Sequence, residues 1–346
     1  MAKEVYGKDT RLAMKPIKQK KRRYYALVFF VVFVLVGGSV GYVMYGKHVE
    51  QQKFIDAMAK MDEGLRLGDY ASLDAAEKAV LERAKDNNPR VETVAYDIAL
   101  RSWIWFAFTG EEVLMSDVRK YLAFLKEPLV DETGATFESP YKDEPMTFVA
   151  DAVYKAVYDG QDEALEFLNK MDPSMLPAGQ REFWIGVAHW RKGEWDAAEA
   201  AMKRAVEAAD CPHHRFALAR VLDVGGKPAE ALAEYEKVLQ GNPAHKGAEA
   251  YKMLLSIPEG ADPVATIDGF IKKYEGQITP RIGSDLAIAR ANAQFLAGQT
   301  DKALSTIRTA QEQDAWYAPL RDWQPPTPPA PPEGEEGAEA GDAKPS

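Results

Sequence analysis

The sequence predicts an all-α fold: a solenoid of helix-turn-helix units preceded by one transmembrane helix. Three observations carry that expectation. Residues 26–45 run for twenty positions without a charge. Beyond them apolar residues recur three and four positions apart, with little of the alternation that a half-buried strand requires. Small residues then return at a fixed interval of 33 residues, from Gly186 to Ala219 and from Ala198 to Ala231. An apolar share of 46% in 346 residues supports a packed core. The single cysteine, Cys211, excludes an internal disulfide, and a net charge of −10 argues against a general nucleic-acid binder.

The N-terminal 25 residues carry nine basic and two acidic side chains. The apolar run follows directly, and Leu27–Val36 is ten large apolar residues in succession. Twenty helical residues rise about 30 Å, the thickness of a bilayer's hydrocarbon core. Leu27–Val36 alone favours insertion by roughly 3–6 kcal/mol. Tyr24, Tyr25, Tyr42 and Tyr45 stand at the two ends, where aromatic rings suit the interface. The other reading is a cleaved signal peptide, but the run exceeds a typical apolar region of that kind and no Ala-x-Ala site follows. Five basic residues in Lys18–Arg23 place residues 1–25 in the cytoplasm. The chain is thereby expected in the inner (plasma) membrane as a single-pass protein, with residues 46–346 periplasmic or otherwise extracytoplasmic. Gly37 and Gly41 would let two such helices approach closely, a route to a homo-oligomer.

The clearest repeat is residues 179–212. Its first helix is expected over Arg181–Arg191, its turn at Lys192-Gly193, and its second helix from near Asp196, as a cap, to about Ala209. Gly186, Ala198 and Ala205 supply the small side chains that close helix crossings need, beside Ile185, Trp195 and Met202. Residues 212–245 repeat the pattern without a gap. Leu218-Ala219, Ala231, Tyr235 and Val238 take the equivalent places, Gly226 falls on Gly193, and Pro243 ends the unit. In these residues the chain resembles the tetratricopeptide repeat family, whose unit is a 34-residue helix-turn-helix. Residues 284–317 match well through Ala291, Gly298, Ala303, Ile307 and Ala310, and 145–178 match with one residue missing at the turn. Residues 54–89 fit loosely, and 91–126 and 246–280 fit as helical pairs. The resemblance divides the chain into N-terminal hairpins at 46–126 and a solenoid at 145–323. Residues 127–144 between them lack an apolar period and read as a loop or inserted hairpin. Residues 324–346 hold seven prolines and five acids and read as a disordered tail.

No phosphate loop, dinucleotide fingerprint, nucleophile elbow or zinc-protease motif occurs, so no catalytic constellation, cofactor or metal site is expected. Cys211-Pro212-His213-His214 is the one cluster of soft ligands, and it falls in a turn between repeats. The expected function is binding without turnover. Stacked hairpins bury a continuous core and leave an extended surface for other proteins or peptides. By the resemblance, first helices line that surface. The matching positions are Phe183, Val187, Trp190 and Arg191 in one repeat, Phe216, Arg220 and Asp223 in the next, and Asn292 and Phe295 in the last. Phe183, Phe216 and Phe295 read equally well as inter-repeat core, whereas Trp190, Arg191 and Arg220 are expected to be exposed. Some members of the family hold a terminal carboxylate with a Lys/Asn/Arg clamp; Phe183, Val187, Phe216 and Arg220 stand at those positions here, so that specificity does not carry over. The resemblance and the anchor together imply a scaffold or adaptor in envelope assembly, secretion or a larger machine. The alternatives are a structural subunit of an oligomeric envelope complex, or an enzyme subunit acting on an envelope polymer. The negative charge of residues 46–323 implies steering of a basic partner.

Overall fold

The computed structural model describes residues 44–84, 90–130, 134–315 and 317–327. The basic segment 1–25, Gly37, Gly41, all but the last two residues of the apolar run 26–45, and the tail from 328 onward lie outside the described residues. Among the described residues, no helix is long and apolar enough to cross a membrane. The chain divides into two compact units, Met1–Asp56 and Ala57–Ser346. Described residues of the first are the opening turns of helix α1 (44–67).

The second unit is built of successive helix pairs. After α1 come α2 (Tyr70–Ala84) and α3 (Val91–Ile104), which continues into a π-helical turn, Trp105–Thr109. Helix α4 (Glu112–Lys126) leads to a small antiparallel hairpin of β1 (Leu129–Val130) and β2 (Thr136–Phe137), in which Leu129 faces Phe137. The pairs then run α5 (Pro145–Val157) with α6 (Gln161–Lys170), α7 (Gln180–Lys192) with α8 (Trp195–Ala208), and α9 (Pro212–Val224) with α10 (Pro228–Gly241). They continue as α11 (Lys246–Leu255) with α12 (Pro263–Lys273) and α13 (Pro280–Leu296) with α14 (Thr300–Gln313). A short α15 (Ala318–Arg321) follows.

The local chemistry explains these boundaries. Proline opens α5, α9, α10, α12 and α13, where its missing N–H would be unpaired in any case. The Asp262 carboxylate accepts from the amides of Val264 and Ala265 and caps α12. Asp196 does not cap α8 as expected. Glu194 stands at that position without a side-chain cap, and Asp196 lies inside the first turn, where its charge complements the helix dipole. The turns within pairs hold Gly160, Gly193, Gly226, Gly260 and Gly298, all with positive φ. A side chain is disfavoured at that backbone angle, so turn geometry fixes the glycine interval. Within the α7–α8 pair, a Cβ on Gly186 would lie 2.8 Å from the Met202 methyl, which is why the small residue recurs there.

The largest core cluster runs from Met61 to Leu286, across the division read from the sequence. Residues 127–144 do not separate an N-terminal pair of hairpins from a distal array. The Trp103 ring meets Phe183 edge-on at 4.8 Å, and Phe108 stacks on Phe216 at 5.8 Å. Both partners belong to first helices, α7 and α9. The end of α3 and its π-turn therefore pack onto the face that the repeats were expected to offer outward. The α1–α2 turn reaches the same seam. The Asn242 side-chain amide donates to the Leu67 carbonyl at 3.0 Å and to the Asp69 carboxylate at 2.6 Å. A Cβ on Gly68 would stand 2.5 Å from the Cα of His213. Gly68 has φ 68°, as Gly193 has φ 74°, but nothing lies within 4 Å of a Cβ on Gly193. Gly68→Ala is therefore expected to lower unfolding stability by about 2–3 kcal/mol, and Gly193→Ala by about 1, since strain alone acts at the second site. Chemical denaturation of the two variants side by side checks the difference.

Candidate functional site

The nine residues assigned to a protein-binding face separate into four groups. Phe183 and Val187 are fully buried and Phe216 is 1% exposed. They are core: Trp103 and His213 cover Phe183, Phe108 covers Phe216, and Val187 lies in the same buried cluster. Arg220, expected in solvent, keeps only 13% of its side chain exposed. Its guanidinium lies 3.9 Å from the centre of the Tyr251 ring, donates to Asp285 at 2.9 Å, and stands 3.5 Å from the half-buried Asp223. Asp285 also accepts from the hydroxyls of Tyr251 at 2.7 Å and Tyr317 at 2.5 Å. Burial and this nearby carboxylate hold both phenols well above their ordinary pKa. Asn292 accepts from the Trp323 indole at 2.9 Å, and Phe295 packs in a small C-terminal cluster with Ala291 and Leu320. These two residues tie the segment around Leu320 and Trp323 to α13.

Trp190 and Arg191 remain at a surface. The half-buried Trp190 ring meets Phe106 edge-on at 4.9 Å. Arg191 is exposed as a residue, with its guanidinium 5.8 Å from the centre of the Phe106 ring. They border a groove of about 420 Å³ between the π-turn, the ends of α7 and α9, and the α13–α15 region. Trp105, Phe106, Trp190, Trp195 and Tyr317 supply its aromatic surface, and Arg191, Arg220, Arg281 and Arg321 line it as well. Arg220 is paired with Asp285 and Arg321 with Asp322, at 2.9 and 2.8 Å. No carboxylate stands among the lining residues. The net negative charge implied a basic partner; the groove's own lining is arginine without carboxylate, its counter-ions standing behind it.

Two of the arginines are incompletely paired. Arg281 is 7% exposed and lies 4.2 Å from the centre of the Tyr317 ring. Its Nη1 is 3.5 Å from Asp314, too far for a well-formed bond, and its Nε has no hydrogen-bond partner. Burial pushes the Asp314 carboxyl up, with the Arg281 charge and the Ser284 hydroxyl opposing. The Arg191 pKa is pushed down, first by burial against the aromatic wall and second by the charge of Arg281. No ion pair to Arg191 occurs among the described residues. Aromatic and arginine side chains at one open groove are the composition of a protein-binding anchor.

The soft-ligand cluster is not at this groove. The His213 ring is buried between Trp103 and Phe183. His214 contacts the Ala209 carbonyl at 2.8 Å and the Gln180 side chain at 3.0 Å. Burial pushes both imidazoles down and the Cys211 thiol up.

Sequence reasoning missed Phe106, Arg281, Tyr317 and Arg321. The aromatic run Trp103–Phe108 was a visible signal for the first. For the arginines there was none, since α13 and α15 bring them to the groove of the π-turn only in the folded chain.

A tetratricopeptide repeat family model matches residues 212–237, which are α9 and most of α10. No curated protein matches the chain.

Proposed function

We propose that this chain is a membrane-anchored scaffold that binds partner proteins through the cationic, aromatic groove, without turnover. Residues 26–45 form the single span, residues 1–25 lie in the cytoplasm, and the helical array stands on the extracytoplasmic face of the inner membrane. The observation that carries the binding reading is the groove itself, set beside a repeat of a family whose members mediate protein–protein contacts. It places aromatic rings and under-paired arginines at one open surface, and such groups lose the most when a partner leaves. The anchor rests on the uncharged run of twenty residues and on the basic residues before it. Gly37 and Gly41 would let two anchors pack together, bringing two grooves to one place.

The binding reading is tested with the full chain in detergent. A photo-crosslinking side chain at Arg191 is expected to capture a defined envelope protein that the same group at Lys203, exposed on α8, does not. Arg191→Glu is expected to weaken the purified complex by about 2 kcal/mol, roughly thirtyfold, with unchanged melting temperature. Equal capture from both positions, or an unaltered affinity in the variant, would contradict it. A reporter fused after Ser346 that works only outside the cytoplasm tests the orientation, and activity is the expected result.

A further inference from the structure

We infer that Arg191 and Arg281 form a carboxylate-binding subsite, and that in the resting chain its occupant is the chain's own acidic segment, residues 333–342. The inference rests on the groove being the binding surface. Arg281 is more than nine-tenths buried, with an unpartnered Nε and a distant counter-ion. Arg191 lines the same groove without a carboxylate of its own among the described residues, and the two positive charges are close enough to repel. A carboxylate between them would relieve that repulsion and complete both guanidinium groups, whose planar forks suit its two oxygens.

The position of the chain end selects the occupant. Pro319 and Arg321 line the groove, and the Trp323 indole is held by Asn292, so the chain starts its last segment at the groove's edge. Glu333, Glu335, Glu336, Glu339 and Asp342 follow, with Lys344 the single base after Arg321. The twelve residues from Arg321 to Glu333 reach up to about 40 Å, ample for a return to a groove that Arg321 itself lines. A segment tethered that closely acts at an effective concentration of about a millimolar, so even a weak contact is occupied. A partner would then enter by displacing the tail, and only segments that offer carboxylates with apolar neighbours would compete.

The test uses the full chain in detergent micelles and a fluorescent synthetic peptide of residues 328–346, read by anisotropy. In one variant the five tail carboxylates become amides (E333Q, E335Q, E336Q, E339Q and D342N). The peptide is expected to bind this variant about tenfold or more tighter than it binds the native chain, whose groove is already filled. Adding Arg191→Gln to the amide variant is expected to remove that gain, and raising salt to weaken it. Equal binding to native and amide chains, or a gain that survives Arg191→Gln, would overturn the inference. An oligoglutamate peptide that binds the amide variant while 328–346 does not would overturn the tail as occupant and leave the groove reading intact. Failure of both peptides, with crosslinking from Arg191 retained, would overturn the carboxylate subsite alone.

Discussion

Trp103→Ala is expected to lower the stability of the whole array, not of the N-terminal helices alone, by about 3–5 kcal/mol. The ring is 2% exposed and touches three elements at once. It meets Phe183 of α7 at 4.8 Å, His213 of α9 at 5.4 Å, and Phe108 of its own π-turn at 6.4 Å. Its removal leaves a cavity where the first helices of two repeats meet the segment that covers them. Few of its neighbours can collapse into that space, since Phe183 and Phe108 are fixed by further rings. A repeat array without such a cover would lose stability locally, because each unit contacts only its neighbours. Here one cooperative transition is expected to shift as a whole, seen by circular dichroism and by tryptophan fluorescence together. A biphasic melt in Trp103→Ala, with the α7–α10 transition unmoved, would contradict the seam.

The second large effect is on pH dependence, where two buried groups act in opposite directions. His245 is fully buried beside Phe216, and its Nδ1 accepts from the Ala248 amide as a cap on α11. Burial lowers its pKa from 6.5 to about 4. The folded state thus binds fewer protons than the unfolded one. Its contribution is present above pH 6.5 and lost as pH falls through that window to about 4, by about 3 kcal/mol in all. Asp97 lies in the α2–α4 region with Arg101, which also pairs with Glu77 and Asp117. Three carboxylates share one guanidinium there, and burial raises Asp97 from 3.8 to about 7, with the Arg101 charge opposing. Its contribution is greatest below pH 3.8 and is lost as pH rises to about 7, by up to about 4 kcal/mol.

The two nearly cancel in the native chain between pH 4 and 7, so each is read from a variant. His245→Asn keeps an N-cap acceptor and removes the titration. Relative to the native chain, it is expected to gain about 3 kcal/mol as pH is lowered from 7 to 4. Asp97→Asn is expected to gain as pH is raised over the same range. Denaturation at three pH values separates them, and parallel curves for native and variant would contradict the burial of either group.

Much of the repeat architecture was legible because it is local. Turn glycines need a positive φ, close helix crossings need small side chains, and both requirements recur with the unit. Gly260 continues the series into the pair α11–α12, a signal passed over because the apolar positions of 246–280 match the repeat pattern poorly. The cover was not legible. Periodicity tells which face of α7 or α9 is apolar, and it cannot tell that Trp103 and Phe108, more than 70 residues earlier, lie on it. Phe183, Val187 and Phe216 thus satisfied the pattern of a binding face while serving as core. Arg220 misled in the same way. Its position implied an exposed anchor, but the carboxylate that holds it, Asp285, is 65 residues away on α13. Trp190 and Arg191 were placed at a surface because the cover ends at Phe106, which they border.

The most direct test of the central claim, that the chain covers its own repeat face and leaves the arginine-lined groove as the open surface, is native-state hydrogen exchange on the full chain. The amides of Ile104–Phe108 are expected to exchange with the same opening free energy as those of Phe216–Leu222 in α9, through one global event. Fast exchange at Ile104–Phe108 while α9 stays protected would mean that the cover opens on its own. The repeat face, and not the groove, would then be the surface available to partners, which contradicts a self-covered array.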